Sequence, residues 1–370
     1  MKKIRLTKRL WLIIALVVII VAALFIHNNP HIILSSIRLF NSDYDTNSIT
    51  FEKADYYGFE KMDNQIAVAY TDSVKIYDDK LEEKHSINMA GSAPVVKTAG
   101  KNMLVFYPAE KKAVVKIKDT EYKINTDYYI LNGTVNKDGY FALVTEEKGF
   151  KAMVTVYDDK NKEIYKWHSA DCYIADVDIS DDSKTMAVNA VAATEAGIES
   201  KVMLFSFTDS KPFSEIVPNG VAVYEASFLS NNRLAVIGDK KTGIYNTDGT
   251  LIREEDYSSN QLFSYNASGD NIILATGDTA SATENVSVKI YSSSGRLKGE
   301  YVHSGEVLGI DVTDNGILVY GKRNVVLISD GGREKRSVEL NVDVLKAFLF
   351  DDEKTVFVVS NSVGKIYYLR

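Results

Sequence analysis

Two patterns of apolar and polar positions organise the chain. Residues 10–26 form one uncharged run, LWLIIALVVIIVAALFI, and from about residue 50 the apolar positions come in short bursts that recur every 37 to 49 residues. At ~1.5 Å per residue the first run makes a helix about 26 Å long, nearly the thickness of a bilayer core. It predicts a single membrane-spanning helix, or else the apolar part of a signal peptide. The tail before it, MKKIRLTKR, carries five basic residues and no acidic one, which places the N-terminus in the cytoplasm and everything after Ile26 outside. Cleavage would need small residues before the cut, and Val21-Ala22-Ala23 lies inside the apolar run, so an uncleaved anchor is expected. Asn28-Asn29-Pro30 then resembles a helix start, leading into HIILSSIRLF with Ile33, Ile37 and Phe40 on one face. This segment either lies along the outer membrane surface or packs under the domain that follows.

The bursts read DNQIAVAY, KNMLVFY, DGYFALV, SKTMAVNAV, NNRLAVIG, DNIILATG, NGILVYG and EKTVFVV, with Asn64, Lys101, Asp138, Ser183, Asn232, Asp270, Asn315 and Glu353 as equivalent points. They are too short for helix pairs, rich in Val, Ile, Tyr and Phe, and bounded by Asn, Asp, Gly and Ser, so they predict strands. A nearly continuous apolar run suits a second strand buried on both faces. The next segment alternates, as in VSVKIYS, where Val286, Val288 and Ile290 share a face, and it ends on an aromatic at Tyr77, Tyr157, Phe205, Tyr245, Tyr291 and Tyr367. Four strands per unit at a period near 40 predict an all-β, eight-bladed β-propeller over 48–370; discounting the second unit, the weakest, would leave seven blades. The sequence stops after the third strand of the eighth unit, and a surplus strand at 48–53 is expected to supply the missing outer one. The expected organisation is thus a tail over 1–9, a membrane helix over 10–26, a juxtamembrane linker or helix over 27–47 and the propeller.

With the five basic residues of the tail set aside, 38 Lys and Arg remain against 50 Asp and Glu, a net charge of minus 12. Such a surface disfavours nucleic acid and anionic lipid as partners, although ordinary solubility accounts for it equally well. Cys172 is the only cysteine, so no intramolecular disulfide can form. A large exported domain without disulfides fits a Gram-positive bacterial cell better than a eukaryotic secretory route. In that setting the sequons at Asn132, Asn266 and Asn285 are chance matches.

The turn-and-strand phrases Ile179-Ser-Asp-Asp-Ser-Lys-Thr-Met-Ala-Val188 and Val135-Asn-Lys-Asp-Gly-Tyr-Phe-Ala-Leu-Val144 resemble those of WD40-like and quinoprotein-like propellers. The plan of basic tail, one membrane helix and extracytoplasmic propeller resembles a family of membrane-anchored propellers of Gram-positive bacteria. That resemblance implies fold and topology, and no catalytic residues. No Trp-Asp dipeptide closes a blade, and only Trp11 and Trp167 exist, so the tryptophan docking motifs of quinoprotein dehydrogenases are missing.

No motif of a hydrolase elbow, zinc protease, phosphate-binding loop or paired cysteines is present, and the histidines are scattered. Neither an enzyme nor a cofactor or metal is expected. Asp176, Asp178, Asp181 and Asp182 raise a calcium site, but their setting in a strand and a polar turn favours turn chemistry. Cys172 has no adjacent base and reads as an inert thiol. The densest group of reactive and aromatic types is Trp167-His168-Ser169-Ala170-Asp171-Cys172-Tyr173, between the third and fourth units. Trp167, His168, Asp171 and Tyr173 are therefore the candidate ligand-binding residues. They fall on the face shared with the loops between second and third strands, two of which, 191–200 and 277–285, are unusually long. The expected function is a membrane-tethered extracytoplasmic platform that binds an envelope protein or peptide. The alternative is a sensor of cell-wall glycan or a small ligand, with Trp167, Asp171 and Tyr173 at the mouth of the central channel.

Overall fold

The computed structural model describes residues 48–370 apart from 52–55, 90, 92, 195–196 and 279–284. The expected tail, membrane helix and juxtamembrane segment lie outside the described residues. The described chain folds as eight four-stranded antiparallel sheets, the blades of a β-propeller. Blades 1 to 7 are continuous, over 56–88, 95–125, 130–169, 173–216, 223–256, 261–304 and 309–339. Within each the strands run in chain order from the axis outwards, and successive inner strands neighbour one another around the centre.

All eight apolar bursts form second strands, and several, such as Phe141–Thr145 and Thr355–Val359, are buried at every position. Each fully buried Val, Leu, Ile or Phe among them contributes about 1.5–3 kcal/mol by leaving water, which is why the bursts dominate the sequence pattern. The aromatic markers fall in one register: Tyr77, Tyr157, Phe205, Tyr245, Tyr291 and Tyr367 stand opposite Ile66, Phe141, Met186, Leu234, Ile272 and Val356. Among the described residues the core divides into eight apolar clusters, one between each pair of neighbouring blades. The second unit forms a full blade, so the count is eight.

Blade 8 takes three strands from 346–368 and its outer strand, Ser48–Thr50, from the other end of the described chain. Ser48, Ile49 and Thr50 pair with Lys365, Gly364 and Val363, and the Phe51 amide donates to the Ser362 carbonyl at 3.0 Å. Ile49 and Phe51 enter the cluster between blades 8 and 1 beside Phe59, Phe348 and Phe357.

Antiparallel order puts the turns joining first to second and third to fourth strands on one face. That face is stitched together by side chains of the first-to-second turns. Asn102 Nδ2 donates to the carbonyls of Asn136 and Lys137 in blade 3, at 3.1 and 2.8 Å. Asn136 Nδ2 donates in turn to Ser180 O and Ser183 Oγ of blade 4. Asn315 of blade 7 donates to Asp351 O of blade 8, whose amide donates to Asn64 Oδ1 of blade 1. Turn polarity thus serves the contacts between blades.

The opposite face carries the connections between blades and the second-to-third links. The link expected as a long loop over 191–200 is instead a strand continuation. Thr185–Thr194 and Gly197–Ser206 pair as a ten-residue hairpin, Ala192 opposite Glu199 and Thr194 opposite Gly197. Gly197, at φ +124°, takes a backbone conformation that L side chains rarely adopt, next to the turn. Once two strands leave a sheet together their ladder continues without a burial pattern, so composition alone did not reveal it. In the other long link, 279–284 lies outside the described residues.

Candidate functional site

The inner strands share an irregularity at their first residues. In blades 1, 3, 4, 5 and 6 the register against the second strand slips by one, leaving Tyr57, Leu131, Ala175, Tyr224 and Phe263 as the extra residues. In blades 7 and 8 the equivalent places, immediately before Gly309 and Lys346, hold Leu308 and Leu345. A bulge leaves its extra residue unpaired and re-aims the side chain. Tyr57, Leu131, Tyr224, Leu308 and Leu345 are all 40–53% exposed. They ring the axis on the face that carries the blade connections. Two further tyrosines extend this collar outward at equivalent positions of blades 3 and 4. Lys111 Nζ lies over the Tyr129 ring at 5.4 Å, and Lys151 Nζ over the Tyr173 ring at 4.9 Å.

Below the collar the wall of the channel is polar. Asp176 of blade 4 accepts a bond from Asn132 Nδ2 at 3.4 Å. Burial pushes its carboxyl up to about 6, and the negative charge of Glu225 adds to the rise while Lys97 opposes it. Asp178 is pushed by burial up to about 7, despite accepting the amides of Ile179 and Phe228 at 2.9 and 2.8 Å. Glu225 of blade 5 accepts the Ser227 hydroxyl and the Tyr265 hydroxyl of blade 6. On the opposite wall the charges are paired: Lys61 with Asp311 at 3.5 Å and Lys346 with Glu60 at 3.1 Å. The channel is thus acidic toward blades 4 and 5.

The four residues singled out in the sequence are strung along the connection from rim to axis. Trp167, on the outer strand of blade 3, is half-buried with its ring 4.6 Å from Phe205 of blade 4. His168 is exposed and lies 4.8 Å from the Phe150 ring. Asp171 is exposed in the connection itself. Tyr173 opens the inner strand of blade 4, is 61% exposed, and takes a 3.3 Å hydrogen bond from Lys151 Nζ. Only Tyr173 stands at the collar. Cys172 is buried against Ser169, whose hydroxyl donates to the Cys172 carbonyl at 2.6 Å.

The carboxylates considered for calcium fall into two groups. Asp176 bonds Asn132 of blade 3 and Asp178 the backbone of blade 5, both on the inner strand, whereas Asp181 pairs with Lys137 at 2.7 Å and Asp182 accepts the Ser180 hydroxyl within the turn. Among the described residues no three His, Cys, Asp or Glu side chains are grouped to hold a metal ion. A cleft of about 250 Å³ lies near the rim between blades 4 and 5, lined by Val217, Pro218 and Tyr245 and by the Lys241–Glu254 ion pair.

The collar residues Tyr57, Leu131, Tyr224, Leu308 and Leu345 were missed in the sequence, although a signal was there. Apolar doublets followed by a polar residue or glycine and another apolar residue recur as Tyr56-Tyr57-Gly58-Phe59, Ile130-Leu131-Asn132-Gly133, Val223-Tyr224-Glu225-Ala226, Val307-Leu308-Gly309-Ile310 and Val344-Leu345-Lys346-Ala347, with Gly133 standing in at the fourth place once. A doublet interrupting a period of two marks a bulge.

The model of one family, the family of unknown function DUF5711, matches residues 37–368. The chain belongs to the DUF5711 family. No curated protein matches this DUF5711 sequence significantly. Solved structures resemble it in fold. The propeller of Sqt1 from Chaetomium thermophilum, solved bound to the N-terminus of the ribosomal protein L10, is 11% identical, with a TM-score of 0.57 over 88% of this chain and 100% of that one. BamB from Moraxella catarrhalis is 10% identical, with a TM-score of 0.54 over 87% of this chain and 98% of that one. The Cps50 (Swd1) propeller of Myceliophteria thermophila is 9% identical, with a TM-score of 0.51 over 87% and 98%. The DUF5711 chain therefore shares the propeller fold with proteins of unrelated sequence.

Proposed function

We propose that this protein is a membrane-tethered, extracytoplasmic propeller that binds an envelope protein or peptide on the face bearing the apolar collar, and that it performs no chemistry of its own. The observation that carries this reading is the asymmetry of the two faces. One face commits its turn side chains to neighbouring blades, while the other exposes large apolar groups at equivalent places of five blades. Repeated exposure of Tyr and Leu on a rigid scaffold is favourable only when a partner covers it. The structure of Sqt1 with the N-terminus of L10 supports the idea that such a fold can hold a peptide. The basic tail and the apolar run over 10–26 support the tether and its orientation.

Photocrosslinkers placed at Tyr57 or Tyr224 in intact cells test the reading. Adducts should form from these positions and not from Lys160, exposed in a turn of the opposite face. Adducts confined to Lys160 would refute it. Protease added to cells stripped of wall should digest the propeller; its protection would refute the orientation.

A further inference from the structure

The collar and the wall beneath it are opposite in character. Tyr57, Leu131, Tyr224, Leu308 and Leu345 offer apolar contact around the axis, and one residue further down the inner strands of blades 4 and 5 stand Asp176 and Glu225. A partner that only covered the apolar ring would bury these carboxylates further without neutralising them, which is costly. The cations nearest the channel do not relieve them. Lys61 and Lys346 are held by Asp311 and Glu60, and Lys97, which offsets part of the Asp176 charge without an ion pair among the described residues, is one cation against two carboxylates. Asp178 is already occupied by two backbone amides. The excess charge under the collar is therefore negative, in a chain whose residues beyond the tail are themselves strongly acidic.

Resting on the proposed peptide-binding reading, we infer that the collar takes an extended peptide whose apolar side chains lie on the tyrosine and leucine ring and whose single Lys or Arg descends to Asp176 and Glu225. The apolar groups supply contact area, and the charge-assisted bonds fix register and select the partner. Asn132 and Tyr265, which bond the two carboxylates, hold them in place for the incoming cation. An acidic collar floor disfavours an anionic membrane as the occupant. It equally disfavours a second copy of this acidic chain.

The test uses the full chain in detergent and an array of blocked peptides, with Leu or Tyr flanking a central Lys, Arg, norleucine or Glu. Lys and Arg peptides should bind at least about tenfold better than norleucine ones. Asp176→Asn with Glu225→Gln should retain binding of the norleucine peptides and abolish that preference. Tyr224→Ser with Leu131→Ser should weaken all of them, with an unchanged melt as the control on folding. Equal binding of Lys and norleucine peptides, or a preference that survives the carboxylate variant, would overturn the inference while leaving the collar as a peptide site. Binding indifferent to the collar variant would sink both. Collar-dependent binding to phosphatidylglycerol vesicles, or collar-dependent self-association, would instead assign the face to lipid or to a second copy.

Discussion

Asp178, on the inner strand of blade 4, accepts the backbone amide of Phe228 on the inner strand of blade 5 at 2.8 Å. Asp311 does the same for Leu349 between blades 7 and 8, again at 2.8 Å. Buried carboxylates thus join neighbouring inner strands around the axis, and their burial has a consequence for acid and base.

The Asp178 carboxyl titrates near 7 in the folded chain and Asp176 near 6, both raised chiefly by burial. A raised folded value means that the native state holds a proton which the unfolded chain releases. The stabilisation is therefore full below about pH 4 and is lost as the pH rises through 6 and 7. Urea unfolding of the wild type should show this loss between pH 5 and 7.5, on the order of 2 kcal/mol. Asp178→Asn should flatten the profile, and an unaltered slope would show that the carboxyl is not the source.

His303 titrates in the opposite sense. It is buried on the outer strand of blade 6, and neither ring nitrogen has a hydrogen-bond partner of good geometry among the described residues. Burial holds its imidazole below the usual range, against the pull of Asn324 and Glu334. The native state thus binds its proton less readily than the unfolded chain, and stability falls as the pH drops below about 6.5. His303→Leu should be less sensitive than the wild type between pH 6.5 and 5 in thermal melts; equal sensitivity would clear His303 of this role.

Asn136 accepts the amides of Asp138 and Tyr140 within its turn while donating to Ser180 and Ser183 of the next blade. Replacement by Ala leaves buried groups unpaired in two blades at once. The expected cost is about 2–4 kcal/mol, read by urea unfolding. An effect within ~0.5 kcal/mol would mean that the stitching is dispensable.

Ile49→Asp would place a charge between blades 8 and 1, where Ile49 packs near Phe357 and Ile366. Release of the outer strand exposes an unpaired edge, so the variant should melt lower and scatter light on concentration. A wild-type melt and a clear solution would contradict the sealing role of Ser48–Thr50.

Replacing 192–199 by a two-residue turn removes the part of the blade 4 hairpin that stands beyond its pairing with Tyr173. Ala193, Thr194 and Glu199 are exposed, so the melt should change little. Under the proposed function, crosslinking at Tyr224 should fall several-fold. Undiminished crosslinking would exclude the hairpin from the interface.

What the sequence reveals follows from what burial dictates. The second strands are legible because both of their faces are covered, and the aromatic marker is legible because one register repeats it. The hairpin was not, since Ala192-Ala193-Thr194 carries neither alternation nor an apolar run. Of the four residues read as candidates in the sequence, only Tyr173 lies at the collar. Trp167 stands out in the sequence by residue type alone, and its ring packs against Phe205 between two blades. The collar is built from ordinary tyrosines and leucines, and only the comparison of register across blades distinguishes Tyr224 from a core tyrosine such as Tyr245.

The seam of blade 8 also sets an order of events. Seven blades are each made from one stretch of chain and can form as soon as that stretch is available. The eighth cannot, because Ser48–Thr50 pairs with residues 363–365, more than 300 positions further along the chain. The early strand must wait, unpaired, while almost the whole ring assembles around a missing wedge. Sealing is then a single late event that converts a row of stacked blades into a circle. Its long sequence separation carries a large loop-closure cost, and a chain that has not made this pairing presents an open edge to aggregation.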